Sequence, residues 1–153
     1  MQTLPRVVAA RSFFGRRLER KRRFFILPRV RSTDMSTKLR MAYYLQPGDG
    51  PIALMLAPTR ELACQSYEVL DEFCKIVGAR CAVAYGGAPR HEQQRALKSC
   101  AALVATPGRL KDFIDDGSVD LSKVRFLCFD EADRMLDMGF IAAVRAISAS
   151  CTL

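Results

Sequence analysis

Residues 124–134 read VRFLCFDEADR, an apolar run that stops at Asp130-Glu131 and gives way to helix-forming composition. A run this continuously apolar is expected where a strand is covered on both faces, as in a parallel sheet between layers of helices. The same grammar precedes it three times. Residues 52–57 (IALMLA) end at Pro58-Thr59-Arg60-Glu61, residues 80–85 (RCAVAY) at Gly86-Gly87, and residues 101–105 (AALVA) at Thr106-Pro107-Gly108-Arg109.

Helical patterns fill the intervals. In the first, Leu62, Val69, Leu70, Phe73, Ile76 and Val77 recur at helical spacing, and Gly78 is placed to end the helix. A second helix is predicted over residues 89–99, with proline in its first turn. A third covers residues 108–115, before the Asp116-Gly117 turn. A fourth starts within 131–134 and runs toward Ser148, with a break at Gly139. Repeated strand–helix alternation with right-handed crossovers predicts an α/β domain, a mainly parallel sheet with helices on both faces. Ligands of such sheets sit beyond the carboxyl ends of the strands, where the polar segments just quoted lie.

With 153 residues the chain suits one domain. Its net charge of +8 is unevenly placed: residues 1–40 hold 12 of the 24 Lys and Arg and 2 of the 16 Asp and Glu, a net of +10, which leaves the remainder at −2. Residues 1–47 are therefore read as a basic, arginine-rich segment, either disordered or a targeting signal, and residues 48–153 as the domain. Three readings of the first forty residues stay open. They are an organelle presequence with Leu4, Val7, Phe14 and Leu18 on one helical face, a basic arm making unspecific phosphate contacts, or sequence without function. Phosphate recognition by the domain must rest on particular residues rather than on overall charge.

The six cysteines (Cys64, Cys74, Cys81, Cys100, Cys128 and Cys151) include no CxxC pair, and His91 is the one histidine. Reduced core thiols in a cytosol-like compartment are expected, with neither zinc site nor disulfide-linked partner. No apolar run reaches the roughly 18 residues of a membrane span, so no membrane partner is expected.

The strand ends carry two kinds of chemistry. Asp130 can hold Mg²⁺ through its water shell, and Glu131 can accept a proton from an attacking water. Two acids after a strand also serve simply to oppose a helix dipole. Thr59-Arg60 and Thr106-Pro107-Gly108-Arg109 each combine a hydroxyl, helix-start amides and a guanidinium, a set suited to oxyanions and, repeated, to a phosphodiester backbone. Gly86-Gly87 permits close backbone approach or only a tight turn. Structural alternatives exist for each: Arg60 pairing with Glu61 or Glu131, and Arg109 with Asp112.

In order, PTRELA (58–63), GG (86–87), TPGR (106–109) and DEAD (130–133) followed by RMLDMGF (134–140) resemble the consecutive motifs of the DEAD-box RNA helicases, and residues 48–65 are similar to the p68-like branch. The resemblance covers residues 48–141. It implies a first RecA-like domain, incomplete here, in a family whose activity is ATP-dependent RNA binding and unwinding. On that resemblance Pro58, Thr59, Arg60, Gly86, Gly87, Thr106, Pro107, Gly108 and Arg109 line the RNA path. Asp130 serves Mg²⁺, Glu131 is the general base for ATP hydrolysis, and Asp133 links the nucleotide site to the following motif. RNA is the implied partner, and the implied setting is intracellular: nuclear or cytoplasmic, or mitochondrial if residues 1–40 are a presequence.

The pattern departs from the family at both ends, and the glutamine-containing motif that reads adenine is not found at its start. The family's lysine-bearing loop, AxxGxGKT, binds the phosphates of ATP. No Gly-Lys dipeptide occurs anywhere in this chain. The chain also stops before the Ser-Ala-Thr motif and the second RecA-like domain. The expectation is a partial helicase domain that keeps the RNA-contacting residues, with the alternatives of an ATPase-inactive RNA-binding remnant and an unstable truncated product. A sheet lacking the phosphate-loop strand and the Ser-Ala-Thr strand is expected to expose apolar edges.

Overall fold

The computed structural model describes the backbone of Phe24–Leu27 and residues 50–151. Its strands are β1 (Phe24–Leu27), β2 (Ala53–Leu56), β3 (Cys81–Ala84), β4 (Ala102–Ala105) and β5 (Phe126–Asp130). The helices are α1 (Arg60–Ile76), α2 (Arg90–Leu97), α3 (Pro107–Asp115), α4 (Ala132–Asp137) and α5 (Ile141–Ser150). All pairings are parallel, in the order β1-β5-β2-β4-β3. The expected fourth helix is two, because Gly139 takes a left-handed φ of 79° and turns the chain between α4 and α5.

The period-2 alternation of strand side chains builds two separate cores. Leu54, Leu56, Leu103, Ala105, Leu127 and Phe129 point to one face, where Leu97 of α2, Leu110 and Phe113 of α3, Met135 of α4 and Ile147 of α5 cover them. Ala53, Met55, Ala102 and Val104 point to the other and meet α1. This division follows from handedness. The crossover from β2 to β3 runs across the sheet in one direction and the later ones run back, so right-handed connections place α1 on one face and α2 and α3 on the other.

α1 buries a different stripe from the one its large apolar residues suggest. Val69 is 45% exposed and Ile76 80%, whereas Ala63, Ser66, Leu70 and Cys74 face the sheet. These side chains are mostly small, which lets the helix lie close to β2 and β4. The one polar member, Ser66, finds a partner on β5.

Phe24–Leu27 fall within the 1–47 segment that the charge pattern separates from the domain, yet they pair with Leu127–Asp130 of β5 along their whole length. β5 is thus an interior strand, and the apolar edge expected from the missing phosphate-loop strand is occupied by β1. The presequence and basic-arm readings otherwise fall outside the described residues.

Candidate functional site

The sheet register brings four strand ends level. Leu56 stands opposite Ala105 and Phe129, and Ala84 opposite Ala105. The segments that follow therefore emerge along one edge. β2 and β4 are neighbours whose following helices lie on opposite faces, which opens a crevice beyond their ends. Thr59-Arg60 stand at one side of it and Thr106–Arg109 at the other.

Thr59 caps α1, its Oγ1 accepting from the Leu62 amide at 3.3 Å, and Pro58 behind it is buried. Arg60 is exposed, with its guanidinium 4.8 Å from the centroid of the Tyr85 ring. Thr106 occupies the same cap position on α3 but its side chain makes no capping bond, and Pro107 follows at the first turn. That turn holds no acid. The Thr106 hydroxyl and the amides of Gly108 and Arg109 are thus available to an oxyanion at a helix N-terminus.

Gly86-Gly87 bridge the two sides. Gly87 has φ of 82°, a conformation that favours glycine, and a Cβ there would stand 3.8 Å from Arg60 Nη1. A Cβ on Gly86 would meet nothing within 4 Å. Only the second glycine is required by the chain's own geometry. The turn is tied to α2 by Gln93, whose Nε2 donates to the Tyr85 carbonyl at 3.0 Å while its Oε1 accepts from the Tyr85 amide at 3.3 Å. Arg109 Nη1 donates to Gln93 Oε1 at 3.4 Å and to the Ala88 carbonyl at 3.3 Å.

The ion pairs offered as structural alternatives are not the ones formed. Glu131 pairs with Arg134 at 3.1 Å, and the Asp112 carbonyl accepts from Arg90, which also pairs with Asp116. Arg60 and Arg109 rest on an aromatic ring and on neutral oxygens respectively, and among the described residues no carboxylate pairs with either.

Asp130 and Glu131 diverge. Asp130 is 4% exposed and its Oδ2 accepts from Ser66 Oγ at 3.1 Å. Burial pushes its pKa up; the hydrogen bond from Ser66 opposes this, and the neighbouring Glu131 charge adds to it. Glu131 is half-buried and adopts φ 49°, ψ 54°, a left-handed conformation costing a non-glycine residue about 1–2 kcal/mol. The bend turns its carboxylate away from Asp130, toward Arg134. Asp133 is exposed in the first turn of α4.

Asp130 has the oxygen donor that a hydrated Mg²⁺ takes. No group of three or more metal-binding side chains occurs among the described residues. An ion held by one carboxylate, water and phosphate oxygens needs no such group. The phosphate cradle is another matter: with no Gly-Lys dipeptide in the chain, the lysine-bearing loop that would hold the phosphates of ATP has no counterpart in the sequence.

The sequence model of the DEAD/DEAH box helicases matches residues 24–152, from the first residue of β1 to just past α5. The chain belongs to the DEAD/DEAH box helicase family. Among relatives of this helicase domain, the ATP-dependent RNA helicase DBP2 of Encephalitozoon cuniculi is 56% identical over 104 residues, covering 67% of this chain and 21% of its own. The ATP-dependent RNA helicase dbp3 of Sclerotinia sclerotiorum is 53% identical over 102 residues, again 67% of this chain but 17% of its own. A hypothetical ATP-dependent RNA helicase from Sulfolobus tokodaii superimposes with a TM-score of 0.72 at 28% identity, over 85% of this chain and 38% of that one. The chain thus spans about a fifth of the length of these curated relatives. The sheet with helices on both faces is the RecA-like architecture expected from the motifs.

Three residues central to the arrangement lie outside the motifs. Ser66 was legible as a polar residue on the Ala63–Leu70 stripe, seven positions after Thr59. Gln93 is one of two buried residues of α2, the other being Leu97, four positions on. Tyr85 ends an apolar run and carried no separate signal.

Proposed function

We propose that the strand-end edge of this domain binds the sugar-phosphate backbone of single-stranded RNA without reading its bases. Thr59, Arg60, Gly86, Gly87, Thr106, Gly108 and Arg109 make the contacts, and Pro58 and Pro107 shape the turns. The carrying observation is that two guanidiniums with no carboxylate partner among the described residues flank one crevice, beside an uncapped helix start. Phosphates at successive nucleotides are met by fixed donors of this kind, and the affinity is correspondingly sensitive to salt. The name shared by the relatives, RNA helicase, supports RNA as the polymer. The setting proposed is intracellular: nuclear or cytoplasmic, or mitochondrial if residues 1–40 are a presequence.

Within a complete helicase, Asp130 would hold Mg²⁺ through water, Glu131 would take the proton of the water that attacks ATP, and Asp133 would couple that site to the next motif. In this chain those residues stand without the lysine-bearing loop, so RNA binding rather than ATP turnover is the activity assigned to it.

The test is fluorescence anisotropy of a labelled oligouridylate titrated with the full chain at several KCl concentrations. Arg60→Ala and Arg109→Ala are each expected to make the slope of log K against log[KCl] shallower by about 0.7, the value for one lost phosphate contact on a single strand. Wild-type slopes in both variants would refute the crevice as the binding site. Phosphate release in the same samples, with Glu131→Gln as control, is expected to stay at background. RNA-stimulated hydrolysis lost in Glu131→Gln would overturn the restriction to binding.

A further inference from the structure

Two guanidiniums gather where α2 and α3 begin, and their partners differ. Arg90 is paired with the Asp116 carboxylate, and it shares the Phe113 ring with Arg109, their guanidinium carbons lying 5.3 and 5.7 Å from the centroid. Among the described residues Arg109 is held only by uncharged acceptors, the Ala88 carbonyl at 3.3 Å and Gln93 Oε1 at 3.4 Å. Both bonds use Nη1, which leaves Nη2 and Nε for another acceptor.

Gln93 is the node of this arrangement. At 8% exposure its amide is among the few buried polar side chains, and burial is tolerable because both ends are used. It closes a two-bond clamp on the Tyr85 backbone, from which Gly86-Gly87 extend and on whose ring Arg60 rests. The same oxygen accepts a hydrogen bond from Arg109 Nη1. One neutral side chain thus connects both sides of the crevice.

We propose that Gln93 is a positioning residue that fixes Arg109 and the Tyr85–Gly87 turn as one phosphate-binding unit while leaving the Arg109 charge unneutralised. The inference rests on the RNA reading above and adds a residue that does not touch RNA. A neutral amide is essential to it: a carboxylate at the same place would orient Arg109 equally well but cancel the charge that RNA needs. Glutamate has nearly the same shape but lacks the Nε2 donor to the Tyr85 carbonyl, so Gln93→Glu opens one bond of the clamp as well as adding charge; the salt slope reads the charge, and Gln93→Leu reads the clamp alone.

The experiment uses the full chain and the labelled oligouridylate over about 50–200 mM KCl, a range in which phosphate contacts dominate the salt response. Gln93→Glu is expected to make the slope shallower by about 0.7, matching Arg109→Ala, and the double variant is expected to be no shallower than either. Gln93→Leu keeps every charge, so its slope stays at the wild-type value while affinity falls about tenfold from loss of the clamp. Thermal melting of each variant reports folding; if Gln93→Leu does not fold, Gln93→Glu with Arg109→Ala decides alone. A wild-type slope in Gln93→Glu, or slope changes that add in the double variant, would overturn the role of Gln93 and leave the crevice reading intact. Wild-type slopes in both Arg60→Ala and Arg109→Ala would remove the crevice reading, and this inference with it.

Discussion

Replacing Ser66 by alanine tests whether Asp130 is held as a buried carboxylate, the state a metal-binding role requires. The two residues are 6% and 4% exposed, and the hydroxyl donates to Oδ2 at 3.1 Å. A hydrogen bond to a charged group contributes about 1.5–3 kcal/mol. The Glu131 amide remains as a second donor to the carboxylate, so the lower half of that range, about 1.5–2 kcal/mol at pH 7, is expected. In a chain of this length each kcal/mol moves Tm by about 2–4 °C, which puts the Ser66→Ala loss at about 3–8 °C.

The pH dependence carries the sign. Burial raises the Asp130 pKa above its ordinary 3.8, so its ionisation opposes folding, and that penalty sets in as pH rises from 3.8 through the raised value. Ser66 offsets part of the penalty only while the carboxylate is charged. The cost of Ser66→Ala is therefore largest at pH 7 and shrinks as pH falls through the Asp130 titration, toward the about 0.5–1.5 kcal/mol of a neutral hydrogen bond. Asp130→Asn removes the buried charge and is expected to raise Tm at pH 7, and Ser66→Ala on that background is expected to cost only the neutral amount. Melting followed by circular dichroism for the four corners of this cycle, at pH 7 and pH 4, measures the coupling. Equal losses at both pH values and on both backgrounds would show that Asp130 is not a buried anion and refute the reasoning.

Phe113, fully buried beneath Arg90 and Arg109, is expected to cost about 3–5 kcal/mol when cut to alanine, read from the denaturant midpoint. Glu131→Gly relieves the left-handed backbone, a gain of about 1–2 kcal/mol, against the about 0.5–1 kcal/mol of extra chain entropy that glycine loses. A small rise in Tm accompanied by loss of the carboxylate is the expected outcome, and a fall would mean that the Arg134 pair matters more than the backbone. Burial pushes the Cys100 thiol up to about 12, so it should resist alkylation at pH 8 in the native protein and react once unfolded, a contrast that mass mapping of iodoacetamide adducts reads directly.

The layout of the fold was written in the chain's periodicities. Continuous apolar runs ending in polar turns marked β2 to β5, and each turn chemistry named a strand end. Helix faces were less legible. In α1 the eye is drawn to Val69 and Ile76, which the fold leaves exposed, because the sheet selects the small stripe that permits close approach. β1 was hidden for a different reason: FFIL is only four residues long and sits among arginines, so local composition outweighed it until pairing with β5 supplied the missing hydrogen bonds.

At the site, the sequence by itself determined which residues stand at the strand ends and which family they belong to, because motif chemistry is local and survives as residue type and order. Tertiary structure decided what each residue faces. It set Arg60 against Tyr85 rather than an acid, sent Asp130 inward to Ser66 and Glu131 outward to Arg134, and made Gln93 the link between two strand ends. Those pairings join segments far apart in the chain, and only the parallel register and the packing of α1 and α2 bring them within hydrogen-bonding distance.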